Sequence, residues 1–114
     1  MECIGGDFIF YNQYSYNLNF RGPVNTFYEH INGGGMSFTL NSGERLSYVG
    51  DPWNDRISSV LVAPLTLVVL YEHRDFGGRV RYLVNTGNSS QIFNLVEGGL
   101  GDNTSSIKTY RLCY

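Results

Sequence analysis

Hydrophobic and polar positions alternate over short stretches of this chain, and no window holds a convincing helical period. In Met36-Ser37-Phe38-Thr39-Leu40 every second residue is apolar, the period of a half-buried strand. One apolar run leads into Tyr28 and another into Tyr71. Each is followed by polar residues and a glycine pair, which signals a hairpin. Val60-Leu61-Val62 and Ile107-Lys108-Thr109-Tyr110 read as β-branched strands that follow turn-rich loops holding Asp and Ser. Gln91–Glu97 is the one candidate for a helical turn.

The same pattern occurs twice. Thr26–Leu40 lies on Val69–Leu83 at an offset of 43 residues without a gap, with Tyr, Glu, His, two Gly and Leu identical and Asn32 facing Asp75. Asp55-Arg56-Ile57-Ser58-Ser59-Val60 lies on Asp102-Asn103-Thr104-Ser105-Ser106-Ile107 at an offset of 47. Two blocks repeating in the same order mark a duplicated unit. Each unit carries about four strands, so about eight strands are expected. Two such units suit two Greek keys packed as an all-β sandwich. The first key is expected over about residues 24–64 and the second over 65–114, with 1–23 as an N-terminal extension.

Composition narrows the class without changing it. Among 114 residues there are 14 Gly, 9 Tyr and 7 Phe, but one Ala and one Lys. That is poor material for helices and good material for strands and turns. Net charge is −2 with no basic run, so there is no electrostatic footprint for nucleic acid. No apolar stretch reaches the length of a membrane span. The first residues lack a signal-peptide pattern, and a cytoplasmic location is the expectation, with unconventional secretion as the alternative. Cys3 and Cys113 sit at opposite ends of the chain; two free thiols and a bridge tying the termini both remain open.

Tyr71-x-x-x-x-Phe76-x-Gly78 resembles the hairpin signature of the βγ-crystallin superfamily. Asn54-Asp55-Arg56-Ile57-Ser58-Ser59 resembles the calcium-binding loop of its microbial and invertebrate members. The likeness covers about residues 24–112, in two Greek-key motifs. Gly33 departs from the pattern at the position of Phe76, and the first hairpin is expected to be looser or reshaped. Gly101 replaces the first loop residue in the second unit. The region Gly50–Asp55 is also similar, more weakly, to the crystallin-like domain of calcium-dependent adhesion proteins.

Calcium is a hard cation that takes six to eight oxygens at about 2.3–2.6 Å, more than one loop supplies. The resemblance implies that the two loops share two Ca2+ ions. It implies Asp55, Ser58, Asp102 and Ser105 as side-chain ligands, and Glu29, Arg56, Glu72 and Asn103 as backbone carbonyl ligands. Ser59 and Ser106 are expected to hold the loop by hydrogen bonds rather than touch an ion. Read as plain turn residues, the same Asp and Ser would only cap backbone N–H groups.

Other constellations carry less. Glu29-His30 and Glu72-His73 repeat at equivalent strand positions, which favours a structural role over zinc or acid–base chemistry. No nucleophile elbow is present, and Gly33-Gly34-Gly35 lacks the Lys-Ser/Thr of a phosphate loop. No enzyme is expected. Trp53 is read as a core plug, with recognition as the alternative. Asn88-Ser89-Ser90 and Asn103-Thr104-Ser105 fit the glycosylation acceptor pattern. The aromatic, nearly uncharged Asp7–Tyr16 is a candidate edge strand or homodimer contact. A calcium-dependent adhesion or carbohydrate- or membrane-recognition module, or a secreted defence or toxin protein, is the rival function on this scaffold.

Overall fold

The computed structural model describes residues 3–4, 23–95 and 103–112. Nine strands are described: β1 (Cys3–Ile4), β2 (Val24–His30), β3 (Gly34–Asn41), β4 (Arg45–Leu46), β5 (Ser59–Val62), β6 (Thr66–His73), β7 (Gly77–Asn85), β8 (Gln91–Asn94) and β9 (Ser106–Leu112). No α-helix is present among the described residues. Asp7–Tyr16, Asp102 and Cys113 lie outside them, and with them the expectations for an N-terminal dimer contact and a terminal disulfide.

The strands form two sheets. One runs β3-β2-β5-β8; the other runs β1-β9-β6-β7, with β4 also on β9. In each unit the fourth strand lies beside the first: β5 pairs β2 and β9 pairs β6. That is the Greek-key return. The third strands are exchanged. β4 of the first unit pairs β9 of the second, and β8 of the second pairs β5 of the first. Each unit therefore completes the other's sheet. β1 pairs β9 in parallel, an addition to the eight strands that the repeat predicts.

Gln91–Asn94 is a strand, not the helical turn that the sequence suggested. Its four residues pair with Ser59–Val62, and Phe93 packs against the core. A short segment has no helical stability of its own, so the open edge of β5 decides its conformation.

Period-two burial builds the core. Phe27, Val60 and Val62 from one sheet meet Val68, Leu70, Leu83 and Ile107 from the other, joined by Ile57 and Leu95 from the connecting loops. Phe38 stacks on Phe27 with centroids 5.0 Å apart and receives the edge of Trp53 at 4.8 Å. Trp53 is thus a plug at the rim of the core.

The two hairpins have one conformation. A 3-10 turn follows each first strand, over Ile31–Gly33 and Arg74–Phe76, with left-handed backbone at Asn32 (φ 57°) and Asp75 (φ 58°). The next residue is also left-handed in both, Gly33 at 73° and Phe76 at 63°. The expected reshaping of the first hairpin does not occur. The backbone is set by bonds that do not need the aromatic: Ser59 Oγ accepts from Gly33 N at 3.0 Å and donates to His30 O at 2.6 Å. Ser106 Oγ does the same for Phe76 N and His73 O, at 3.0 and 2.6 Å. Where Phe76 sets its ring against Tyr71 at 5.5 Å, a Cβ at Gly33 would meet the Tyr28 ring at 3.6 Å and Ile92 at 3.8 Å.

The shape shared by the two hairpins also requires glycine two positions on. Gly35 and Gly78 have φ of +78° and +79°, and a Cβ there would lie 2.6 Å from the imidazole Cδ2 of His30 or His73. Each imidazole folds over the hairpin glycine, and each preceding glutamate accepts a backbone N–H from across the turn: Met36 N to Glu29 at 3.4 Å, Arg79 N to Glu72 at 3.2 Å. The repeated Glu-His pairs are parts of the hairpin.

Candidate functional site

Both Asp/Ser loops end against their own hairpin. Ser58 N donates to Tyr28 O and Ser105 N to Tyr71 O, each at 2.9 Å. Each serine's carbonyl then accepts from the segment that leads into the other loop. Val49 N donates to Ser105 O at 2.8 Å, and Leu95 N to Ser58 O at 2.9 Å. These reciprocal bonds follow from the strand exchange, because β4 and β8 deliver the chain to the far side of the partner unit. They bring the loops of both units to one end of the sandwich.

The loops touch. Asp55 N donates to Thr104 O at 3.2 Å. Ser105 Oγ donates to the side-chain oxygen of Asn54, across 51 residues of sequence. Asp55 is left-handed at φ 61°, a conformation that Asp and Asn tolerate better than most residues. Its carboxylate is exposed, and among the described residues no cationic side chain pairs with it. The neighbouring Asp51 is committed elsewhere: its carboxylate accepts from the Tyr48 hydroxyl at 2.6 Å. That hydrogen bond, with some burial and the nearby negative charge, holds the Tyr48 hydroxyl above its ordinary pKa. Arg74 stacks over the same ring at 4.1 Å, docking the second hairpin beside the entry to the first loop.

Of the residues expected to bind an ion, Asp55, Ser58 and Ser105 are placed at this junction. Ser58 and Ser105 are buried by their loops, while Arg56 and Asn103 are exposed. Glu29 and Glu72 directly follow the tyrosines whose carbonyls anchor the serines. Their side chains are engaged in the hairpins, Glu72 also with Arg79 at 2.9 Å. The Arg79 guanidinium and backbone N–H hold the Glu72 carboxyl below its ordinary pKa. Asp102 lies outside the described residues. Ser59 and Ser106 bond the hairpins and not the loops.

Two features escape the motif reading. Asn54 presents the oxygen that meets Ser105, a partnership that no spacing rule for a single loop shows. Thr104 Oγ1 is buried and without a hydrogen-bond partner among the described residues; its counterpart in the first loop is Ile57, fully buried in the core. The side-chain donors at the junction are amide, carboxylate and hydroxyl oxygens, the set that suits a hard divalent cation. No group of three or more His, Cys, Asp or Glu gathers among the described residues.

Comparison with known proteins agrees with the topology. The Beta/Gamma crystallin family model matches residues 21–100. No curated protein sequence matches the chain. Among solved structures, a domain studied for the evolution of the eye-lens beta-gamma-crystallin fold is 25% identical, with a TM-score of 0.68, covering 81% of this chain and 88% of its own. A betagamma-crystallin domain from Clostridium beijerinckii is 27% identical, with a TM-score of 0.60 and coverage of 76% and 97%. A clostrillin double mutant in complex with nickel is 25% identical, with a TM-score of 0.61 and coverage of 76% and 97%. With the family model spanning most of the chain and the exchanged Greek keys in place, this protein belongs to the beta/gamma crystallin family.

Proposed function

We propose that this protein binds calcium at the junction of its two Asp/Ser loops, and that the ions tie one Greek key to the other. The observation that carries this reading is the crossing of Ser105 Oγ to the Asn54 side chain, whose amide in turn donates to the exposed Asp55 carboxylate at 3.5 Å. It is the geometry in which one loop's hydroxyl and the other's carboxylate serve a single cation. On this reading Asp55 and Ser105 serve one ion, with carbonyls of Arg56 and Glu72. Asp102 and Ser58 serve the second, with carbonyls of Asn103 and Glu29, and water fills the remaining positions. Gly101 removes one oxygen from the second loop, so the two sites differ in strength.

Few formal charges face each ion, which places affinity in the micromolar to millimolar range. The role that follows is structural. An ion that binds only the folded state adds stability by mass action, about 2.7 kcal/mol when calcium is at 100 times its dissociation constant. The test is a melting curve with and without calcium, and with magnesium at the same concentration. A rise specific to calcium, lost in Asp55→Ala with Asp102→Ala, supports the reading; equal curves in all conditions refute it.

A further inference from the structure

The duplicated architecture provides an internal control for its own surface. β3 and β7 are equivalent edge strands, each paired on one side only among the described residues. Their outward positions correspond at the offset of 43: Ser37 with Val80, Thr39 with Tyr82, Asn41 with Val84. On β3 all three are polar. On β7 all three are apolar, and they are exposed: Val80 at 40%, Tyr82 at 65% and Val84 at 48%. On β6 Tyr71, Val69 and Leu67 stand opposite Val80, Tyr82 and Val84; Val69 is buried, so the exposed apolar stripe is that of β7 itself. An open edge strand with an apolar outer face is a template for strand pairing unless charge or shape blocks it.

We infer that β7 is the contact through which two copies of this chain pair, antiparallel and about a two-fold axis at Tyr82. The sequence of the strand selects this occupant. In Val80-Arg81-Tyr82-Leu83-Val84 the outward residues Val80, Tyr82 and Val84 are apolar and placed evenly about Tyr82, so the two-fold register sets Tyr82 against Tyr82 of the second copy and Val80 against its Val84, and the reverse. An interface of this kind must be complementary to itself, and this one is apolar against apolar at every outward position. The charges comply as well. Arg79 falls opposite Asn85 and Arg81 opposite Leu83 of the second copy, so no arginine faces its own equivalent. Arg79 is also neutralised within its own chain by Glu72 at 2.9 Å. Aromatic and β-branched cross-strand pairs stabilise such a contact, and it extends the β1-β9-β6-β7 sheet across two molecules. β3 exposes one large apolar side chain, Met36 near its start, but no apolar stripe at its outward positions, and stays an outer edge.

The test uses the full chain. Sedimentation equilibrium from about 10 μM to about 1 mM is run on the wild type, on Tyr82→Glu and on Thr39→Glu. Tyr82→Glu sets two carboxylates against each other on the axis; Thr39→Glu makes the same change on the polar edge. Circular dichroism and melting temperature confirm that both variants fold, as expected at exposed positions. Tyr82→Phe keeps the ring and covers the case where Tyr82→Glu fails to fold. The inference predicts a concentration-dependent dimer in the wild type, Thr39→Glu and Tyr82→Phe, and a shift to monomer of tenfold or more in dissociation constant for Tyr82→Glu. It also predicts slower hydrogen exchange of Val80–Val84 amides at high concentration. A monomer throughout the range overturns it. So does a dimer that survives Tyr82→Glu, or one whose β7 amides exchange at an unchanged rate.

Discussion

Replacing Ser106 by alanine should destabilise the fold by about 2–4 kcal/mol, although it removes a single oxygen. That oxygen is fully buried. It accepts from Phe76 N at 3.0 Å and donates to His73 O at 2.6 Å, tying the second hairpin to β9. Alanine leaves both backbone groups without this partner. An orphaned buried polar group costs about 1–3 kcal/mol, and the hairpin end is half open to water, so two groups together fall in the lower half of the doubled range. Against a total stability of about 5–15 kcal/mol, the loss is a large share. With a urea m-value of about 2 kcal/mol/M, the unfolding midpoint falls by about 1–2 M at constant slope. Ser59→Ala should behave alike, because Ser59 makes the same two bonds at the same lengths in the first hairpin. Ser90→Ala, on an exposed loop, should stay within about 0.5 kcal/mol. A loss below about 0.5 kcal/mol for Ser106→Ala would refute the claim that these serines set the hairpin conformation.

Three further outcomes follow from the same geometry. Gly35→Ala should cost clearly more than Gly33→Ala in urea unfolding. Both have positive φ, worth about 1–2 kcal/mol against an L side chain, but only at Gly35 does the new Cβ meet His30 at 2.6 Å and Glu29 Cβ at 3.0 Å; equal costs would contradict the crowding argument. Arg79→Ala should raise the Glu72 pKa toward the ordinary carboxylate value, read by NMR titration of the side-chain carboxyl. Because the folded-state pKa is depressed, this pair's contribution is present above the ordinary carboxylate range and is lost as pH falls through the folded value. The difference in stability between wild type and Arg79→Ala should therefore vanish in acid; a difference that grows there would reverse the assignment. Phe38→Ala should shift the Trp53 fluorescence to the red, since it removes the ring that Trp53 meets edge-on at 4.8 Å; an unchanged spectrum would show that Trp53 does not depend on this contact.

The repeat made much of the fold legible. Tyr28 and Tyr71, with the glycine pairs after them, marked both hairpins, and alternation around Phe38 marked β3. The exchange of β4 and β8 was not legible, because strand pairing across units depends on the closure of two sheets and leaves no local pattern. Gln91–Asn94 misled for the same reason: its polar ends hide a strand that exists only because β5 offers an edge. At the site, Asp55, Ser58 and Ser105 were visible from motif spacing. The Asn54–Ser105 contact was not, since it joins residues from loops in different units. Gly33 suggested a looser hairpin, yet Ser59 imposes the same backbone that Ser106 imposes on Phe76.

Isothermal titration calorimetry of the full chain with calcium chloride tests the central claim most directly. The account predicts saturable binding heat with one to two ions per chain and a dissociation constant between micromolar and millimolar. It also predicts loss of that heat in Asp55→Ala with Asp102→Ala, at unchanged circular dichroism. No binding heat in the wild type, or full binding in the folded double variant, would contradict it.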